Sequence, residues 1–302
     1  MRGDREEVSV LDLDGPRAVR FDDLRPAWGK AHRSEQAGYF RWLVSYVGGP
    51  PGWLEEHPES GLIGDRSVLG VMGLPAGQRQ FGLHRHPTTE IYLILAGRVE
   101  SIEAEGQRQM LGPLDCLYIP PAAPHCVRAV GDEDVLLLYA HDDHERLGES
   151  KYVEDDDPTL GRPEPHPEVV ARDDLAPWWG APGATEAGQL RWSVSWVGGA
   201  DPRLDHNPER SARHDGVALG MTSIEAAGAA PEETWDAVRY LYVHAGTVAV
   251  EGRPELAPLR PRDVLVVPPG CPCGLRPLGV EPARLVWLHR ARPSNQTTSR
   301  SG

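Results

Sequence analysis

The 302-residue chain is short of basic residues and of long apolar runs. It has 31 lysines and arginines against 45 aspartates and glutamates, which gives a formal net charge of −14. This acidity argues against nucleic acids and anionic membranes as partners, because both attract basic surfaces. No segment approaches the ~18 consecutive apolar residues of a transmembrane helix. We therefore expect a protein that binds neither nucleic acid nor membranes.

Cysteine is also scarce, and the four thiols are Cys116, Cys126, Cys271 and Cys273. None of them stands in a C-x-x-C pair, the spacing typical of many structural zinc sites and dithiol redox centres. The first fifteen residues are charged and contain no apolar core of a signal peptide, so we expect a cytoplasmic protein. Thiols in that compartment are normally reduced, and we predict no structural disulfide.

Glycine and proline are abundant, with 33 and 29 residues. They separate short runs rich in Val, Ile, Leu and Tyr, such as those at 67–74, 90–104 and 135–141. Runs of this kind predict β-strands joined by turns. Only 22–28 and 173–179 suggest short helical turns. Many short strands with frequent turn signals predict an all-β fold built as a sandwich or barrel.

An internal repeat relates the two halves of the chain at a displacement of 148–150 residues. The matched blocks are FRWLVSYVGG at 40–49 with LRWSVSWVGG at 190–199, YLILAG at 92–97 with LYVHAG at 241–246, and LDCLYIPP at 114–121 with RDVLVVPP at 262–269. Self-similarity at this length indicates two copies of one domain. Trp28, Trp42, Trp178 and Trp192 occupy matched places and are predicted to be packing residues.

The repeat divides the chain into five predicted segments. They are a lead-in at 1–16, a first domain at 17–141, a linker at 142–167, a second domain at 168–290 and a disordered tail at 291–302. The linker prediction rests on acidic, proline-rich composition. The DDHE run at 142–145 begins that segment, and we expect it to be solvated.

The stretch GLHRHPTTEIYLILAG at 82–97 concentrates residues that carry chemistry. His84, His86 and Glu90 share one parity, so a strand through them presents two imidazoles and a carboxylate to one face. His125 follows a proline-rich turn and offers a third imidazole. Three histidines and one glutamate predict a site for one divalent transition metal. Tyr92 has the parity of Glu90 and is a candidate acid or base, or alternatively a packed core aromatic.

The predicted metal is Fe(II), Mn(II), Ni(II) or Co(II), since four protein ligands leave up to two octahedral positions free. Zn(II) is possible as well. A substrate bound at the open positions would be a small molecule. Tyr118 and Met110 are weaker candidates for the wall of its pocket.

These residues resemble the cupin superfamily, whose first motif has the form G-x5-H-x-H-x3,4-E-x6-G. The segment from His84 to Gly97 fits it, while Gly77 lies one residue further from His84 than the pattern asks. The second motif, G-x5-P-x-G-x2-H-x3-N, is matched at its ends by Gly112 and His125. The resemblance implies a bicupin, that is, two tandem jelly-roll β-barrels in one chain.

The second copy lacks the ligands. The repeat offsets carry His84, His86, Glu90 and His125 onto Glu233, Trp235, Arg239 and Cys273. An arginine at the carboxylate position would repel a cation at short range. We predict one metal per chain, in the first barrel. A different set in the second copy, formed by Glu232, Glu233, His244 and Cys273, stays open as an alternative.

The resemblance leaves the reaction open, because cupins with this ligand set include dioxygenases, decarboxylases, isomerases, cyclases and lyases. Our first hypothesis is a metal-dependent oxygenase that acts on a small oxygen-bearing metabolite. The alternative is a redox-neutral lyase, isomerase or cyclase in which the metal is a Lewis acid. A third hypothesis is a non-catalytic barrel that binds a small molecule. By analogy with cupins that pair through sheet edges, we also expect a homodimer, unless the two barrels pair internally.

Overall fold

The computed structural model describes residues 8–28, 36–50, 60–103, 106–153, 165–199 and 201–290. The strands of the first half are β1 Arg17–Val19, β2 Ala27–Trp28, β3 Trp42–Gly48, β4 Leu62–Ile63, β5 Val68–Leu74, β6 His84–Arg85, β7 Glu90–Ala96, β8 Val99–Glu103, β9 Arg108–Leu111, β10 Cys116–Ile119, β11 His125–Ala129 and β12 Val135–His141. Those that follow are β13 Lys151–Tyr152, β14 Glu168–Val170, β15 Arg191–Gly198, β16 Ala212–Arg213, β17 Val217–Ile224, β18 Ala230–Glu233, β19 Arg239–Ala245, β20 Thr247–Val250, β21 Val264–Val267, β22 Cys273–Leu278 and β23 Ala283–Arg290.

Helical structure in the described ranges is confined to single turns, which confirms the predicted all-β class. The α-helix α1 covers His144–Leu147, and 3-10 turns cover Val10–Asp12, Phe21–Asp23 and Arg172–Asp174. The last two begin one residue before the predicted helical turns at 22–28 and 173–179 and end after three residues. None of the described helices is long and apolar enough to cross a membrane. All four cysteines are free thiols, as predicted.

The first barrel consists of two facing sheets. The larger has the strand order β14-β10-β7-β12-β5-β3-β2, and the smaller has the order β13-β6-β11-β8-β9. Alternation along β7 divides its side chains between two cores, because successive residues of a strand point to opposite faces. Tyr92 and Ile94 belong to the interior of this barrel, while Ile91 and Leu93 belong to a core shared with the second barrel.

The second barrel repeats the design with a large sheet β1-β21-β19-β23-β17-β15-β16 and a small sheet β18-β22-β20. The large sheets of the two barrels pack face to face. Tyr46 and Tyr242 meet edge to face at 6.1 Å, and the Tyr46 hydroxyl donates to the Arg262 carbonyl at 2.6 Å. Reciprocally, the Tyr240 hydroxyl donates to the Asp65 carboxylate at 2.8 Å. Buried hydroxyls satisfied across the interface fix the barrels relative to each other.

The two barrels exchange their first strands. β1 pairs antiparallel with β21 of the second barrel, and β14 pairs antiparallel with β10 of the first. The predicted segments 17–141 and 168–290 therefore remain a description of the sequence repeat, whereas each of the two large sheets takes one strand from the other segment. Residues 291–302 of the predicted tail lie outside the described residues, as do 154–164 of the predicted linker.

The prediction that the DDHE run is solvated is wrong for two of its members. Asp142 accepts a hydrogen bond from the Thr89 backbone at 3.0 Å and lies 3.4 Å from the His214 imidazole of the second barrel. His144 is buried and bonds to the Arg66 carbonyl at 2.9 Å. The chain turns back here into α1 and stays against the barrel, so linker composition does not translate into a solvated segment.

Candidate metal centre

The predicted ligands meet at one end of the first barrel. His84 on β6 pairs directly with His125 at the start of β11, and Glu90 is the first residue of β7 in the facing sheet. His86 lies in the short loop between β6 and β7. One donor atom from each of these four side chains lies within 4.8 Å of every other, and three of the four residues are buried. The structure thus brings all four predicted ligands together.

A nearby backbone carbonyl orients each of the three imidazoles. The Nδ1 atoms lie at hydrogen-bond distance from backbone carbonyls two residues away, namely Gly82 for His84 at 3.2 Å, Thr88 for His86 at 2.8 Å and Ala123 for His125 at 2.9 Å. A carbonyl accepts a hydrogen bond, so Nδ1 carries a proton, and in the neutral form of each imidazole Nε2 is left with a lone pair. This is the usual way in which backbone groups orient histidines that bind metals.

The contacts inside the cluster test whether a metal fits. The Nε2 atoms of His86 and His125 each lie 2.9 Å from the same Glu90 carboxylate oxygen. Neutral imidazoles protonated at Nδ1 have no hydrogen to offer there, and a carboxylate has none either. Three lone pairs at this distance repel one another unless protons or a cation lie among them. A divalent cation with nitrogen and oxygen ligands satisfies all of them at once, so the residues fit a metal.

Burial and mutual contacts set the protonation of the ligands. Burial lowers the pKa of His84 well below its ordinary value and keeps this imidazole neutral. Burial would raise the pKa of Glu90, but contacts with His141, His125 and His86 outweigh it and hold that pKa well below its usual range. Burial likewise opposes charge on His86, yet the hydrogen bond to Glu90 raises its pKa overall. His84 and Glu90 are ready to bind a cation, whereas His86 must first lose a proton.

We expect metal binding to release about one proton per chain at about pH 6.5, because a bound metal must displace the proton that Glu90 stabilises on His86. Below the raised pKa of His86, apparent affinity should therefore fall about tenfold for each unit by which the pH is lowered. Titration calorimetry in two buffers of different ionisation enthalpy measures the proton count. A metal affinity that stays constant as the pH falls below the pKa of His86 would contradict the expectation.

His141 is a fourth histidine of the cluster, which the sequence analysis missed. It ends β12, pairs in register with Glu90, and places Nε2 3.1 Å from the second carboxylate oxygen, Oε1. Its Nδ1 is buried and has no hydrogen-bond partner among the described residues. The repeat offered a signal, since YAH at 139–141 corresponds to WLH at 287–289. His141 donates to Glu90 and so fixes the direction in which that carboxylate faces the cluster.

Replacement of His141 by alanine is expected to weaken metal affinity about tenfold, because the Glu90 carboxylate loses the donor that orients it. Competition with a chromophoric chelator measures the change. The matched control is His289→Ala, which removes the corresponding histidine of the second barrel and should leave metal affinity unchanged. Equal effects of the two substitutions would show that the loss is a general loss of stability.

Tyr92 lies inside the first barrel beside the ligands. Its ring centre is 6.3 Å from that of His125, and its hydroxyl accepts a hydrogen bond from the Gln80 amide at 3.0 Å. The same Gln80 accepts the Val127 N–H at 3.0 Å and is thereby held in place. Burial, together with the negative charge of Glu90, raises the pKa of Tyr92 well above its ordinary value. The phenol keeps its proton at neutral pH, which suits a proton donor rather than a base.

The two candidate wall residues lie elsewhere. Tyr118 belongs to the core shared with the second barrel, and its ring is 6.3 Å from that of His214. The alternation on β10 instead turns Leu117, which pairs with Tyr92, into the barrel interior. Met110 is 45% exposed on β9. Both expectations are corrected for the same reason, since a turn precedes His125 and the side-chain directions on β9 and β10 do not follow from its own.

The second barrel reproduces the backbone of the cluster without its ligands. Glu233 pairs with Cys273 as His84 pairs with His125, and Arg239 pairs with His289 as Glu90 pairs with His141. The Gly270 N–H donates to the Trp235 carbonyl at 2.7 Å, where Ala122 donates to His86 at 2.8 Å. Across the described ranges, the cluster of the first barrel is the single group found that could hold a metal. The alternative ligand set in the second copy, Glu232, Glu233, His244 and Cys273, is not among the groups that could hold a metal.

Comparisons with known proteins agree with this architecture. Residues 70–141 match the family model described as Cupin domain. A 97-residue segment is 33% identical to dimethylsulfoniopropionate lyase from Ruegeria pomeroyi. The match covers 29% of this chain and 48% of the lyase, so the chain spans about half the length of this curated relative.

Solved structures share the fold over nearly the whole chain at low sequence identity. A protein described as glyoxylate-induced, from Pseudomonas aeruginosa, aligns with a TM-score of 0.62 at 15% identity, covering 99% of this chain and 96% of its own. Oxalate decarboxylase from Lactobacillus farciminis, in complex with formate, aligns with a TM-score of 0.56 at 15% identity, covering 91% and 86%. At these identities the likeness establishes the fold alone.

Proposed function

We propose that the chain is a metal-dependent enzyme for a redox-neutral reaction, of the lyase class, on a small carboxylic acid. Residues 70–141 match a cupin domain, the fold has two jelly-roll barrels, and one of them holds a cluster of three histidines and a glutamate. The observation that carries the proposal is the pairing of this cluster with a protonated phenol. Tyr92 holds a proton next to Glu90, inside the same barrel. A proton donor beside a Lewis-acid site suits decarboxylation, in which the carbanion that remains after CO2 departs takes up the proton.

His84, His86, Glu90 and His125 would hold the metal, which supplies Lewis acidity toward a substrate oxygen when bound. The protein's own contribution is orientation and proton supply. Gln80 donates to the Tyr92 hydroxyl, so the phenolic proton is directed away from Gln80. The buried barrel interior around Tyr92, Ile94 and Leu117 excludes water from the reacting groups.

Electrostatics around the cluster support a carboxylate as the substrate's binding group. The pKa values of His84 and Tyr92, shifted chiefly by burial, also respond to the positive charge of Arg41. Arg41 lies one residue before β3, outside the ligand set and near enough for its charge to act on both groups. A cation in that place attracts an anionic substrate to an otherwise acidic protein. The lyase relative is consistent with this class, since dimethylsulfoniopropionate is a carboxylate.

The test is turnover of small carboxylic acids by metal-loaded protein in the absence of oxygen. Dimethylsulfoniopropionate and oxalate are the first substrates to assay, followed by other short acids with a leaving group beside the carboxylate. Product formed equally with and without oxygen supports the proposal. Product that requires oxygen, with matching oxygen consumption, would favour the oxygenase hypothesis instead. Saturable binding without product under either condition would indicate a barrel that only binds its ligand.

A further inference from the structure

The second barrel contains a cavity of about 520 Å³ at the place where the first barrel has its ligand cluster. Three of the positions that correspond to ligands, Glu233, Trp235 and Arg239, form part of its wall. Arg239 begins β19 just as Glu90 begins β7. A volume of this size accommodates a small organic molecule. The loss of the metal ligands has therefore left an open pocket rather than a filled core.

The charge of the pocket is opposite to that of the protein. Its charged lining consists of Arg191, Arg203, Arg239 and Glu233, which amounts to three cations and one anion. The whole chain carries −14. Of the three arginines, Arg203 is held by the Asp201 carboxylate, with contacts of 3.0 and 3.1 Å from its Nε. Three arginines in the wall of one pocket give it a positive charge, which attracts anions.

The Arg239 guanidinium has hydrogen-bond donors that no acceptor in the described residues satisfies. Its Nη1 lies 3.9 Å from the Glu233 carboxylate, too far for a hydrogen bond, and its buried Nε has no hydrogen-bond partner among the described residues. Arg191, in contrast, donates to the carbonyls of Pro182 and Gln189. A largely buried guanidinium whose buried Nε–H has no acceptor is costly unless a ligand completes its hydrogen bonds. A carboxylate fits the fork of a guanidinium with two parallel hydrogen bonds.

The rest of the wall is aromatic and aliphatic. Trp178, Trp235 and Trp287 line the cavity, together with Leu241 and Leu285. Trp235 is also covered by the guanidinium of Arg239, whose carbon lies 4.9 Å from the ring centre. Trp178 was predicted to be a packing residue. It stacks on His206 at 4.2 Å, and it also lines the cavity. Flat indole walls favour a ligand with a planar apolar body.

We propose that the second barrel binds a small organic acid without a metal, with the ligand's carboxylate on Arg239 and its planar apolar body between the tryptophans. The guanidinium supplies the positive charge that a metal ion would supply at this place in the first barrel. The inference is independent of the reaction in the first barrel, because it rests on residues of the second barrel alone.

The test is titration of the full-length protein with benzoate and, separately, with the isosteric neutral benzamide, followed by tryptophan fluorescence. Three of the chain's nine tryptophans line the cavity, so a ligand bound there should change the fluorescence. We expect saturable binding of benzoate with a Kd below about 1 mM, and binding of benzamide at least about tenfold weaker. Arg239→Gln should weaken benzoate binding at least about tenfold. Arg239→Lys should have an intermediate effect, because it keeps the charge and loses the fork.

Glu90→Gln is the matched control, since it changes the corresponding strand position of the first barrel and should leave benzoate affinity unchanged. Binding that is lost in Glu90→Gln and kept in Arg239→Gln would place the acid in the first barrel and overturn the proposal. So would equal affinity for benzoate and benzamide, or no saturable signal up to about 10 mM benzoate. If Arg239→Gln does not fold, as judged by circular dichroism, Arg239→Lys and the benzamide comparison decide.

Discussion

Replacement of Glu90 by glutamine should abolish stoichiometric metal binding while the protein stays folded. Glu90 is the one anionic ligand of the cluster, and the histidines at 86 and 125 both direct Nε2 toward its Oε2. Loss of that charge leaves neutral ligands around a dication, so we expect affinity to fall more than about 100-fold, about 2.7 kcal/mol. Elemental analysis after gel filtration should find about one metal per chain before the substitution and almost none after it.

The second barrel explains why the fold should survive. Arg239 occupies the same position at the start of β19, and that sheet is formed with the same register. The barrel therefore does not require a carboxylate there. Arg239→Gln is the matched control for metal content and should leave it unchanged. Full metal occupancy in Glu90→Gln, with the melting temperature retained, would show that the metal binds somewhere other than this cluster.

Replacement of Gly70 by alanine should destabilise the protein by about 3 kcal/mol. Gly70 lies on β5, where an added Cβ would overlap the Val44 carbonyl oxygen and the ring of Tyr139. The ring cannot simply move, because the Tyr139 hydroxyl is hydrogen-bonded to Ser45 at 2.8 Å in the buried core. Urea unfolding measures the change in the free energy of unfolding.

Gly220, the corresponding glycine of the second copy, provides a second test, and Gly112 provides a control. An alanine at Gly220 would meet Trp287 and the Val194 carbonyl in the same way, and a similar loss is expected there. Gly112→Ala is the control, since its Cβ would meet only the Asp115 carboxylate at an ordinary 3.7 Å. We expect that change to stay within about 0.5 kcal/mol. A small loss at Gly70 would show that the backbone of β5 can shift away from Tyr139.

The sequence predicted the parts of the structure that depend on local spacing. His84, His86 and Glu90 could be placed together because a short strand and loop bring them to one end of the barrel within seven residues. The offsets of the repeat also carried the ligand positions onto Glu233 and Arg239 correctly, as the strand registers show. The single strand predicted through these residues is nonetheless wrong, since His84 lies on β6, His86 in the loop that follows and Glu90 on β7 of the facing sheet.

The parts that escaped prediction depend on contacts between distant segments. His141 is separated from Glu90 by 51 positions along the chain, and no local pattern relates an isolated histidine at a strand end to a carboxylate. Tyr118 was misplaced because strand parity does not carry through a turn of unknown geometry. The cavity of the second barrel was missed because an absence of metal ligands does not reveal whether a site is filled or open.

The strand exchange also could not be read from the repeat, which aligns the two copies as if each were self-contained. β1 and β14 are three residues long and carry no signal of their partner. Their attachment is nonetheless specific. The Phe21 N–H donates to Asp263 at 3.2 Å, and the Arg172 N–H donates to the corresponding Asp115 at 2.8 Å.

This exchange bears on how a duplicated gene can change. Each half of the chain completes a sheet of the other, so deletion of the second half would remove β14 and leave β10 as an exposed edge of the barrel that holds the ligand cluster. Selection can therefore discard the ligands of the second copy without being able to discard its backbone. The copy without the ligand cluster remains part of the other barrel's sheet, and its interior is free to take on a different specificity.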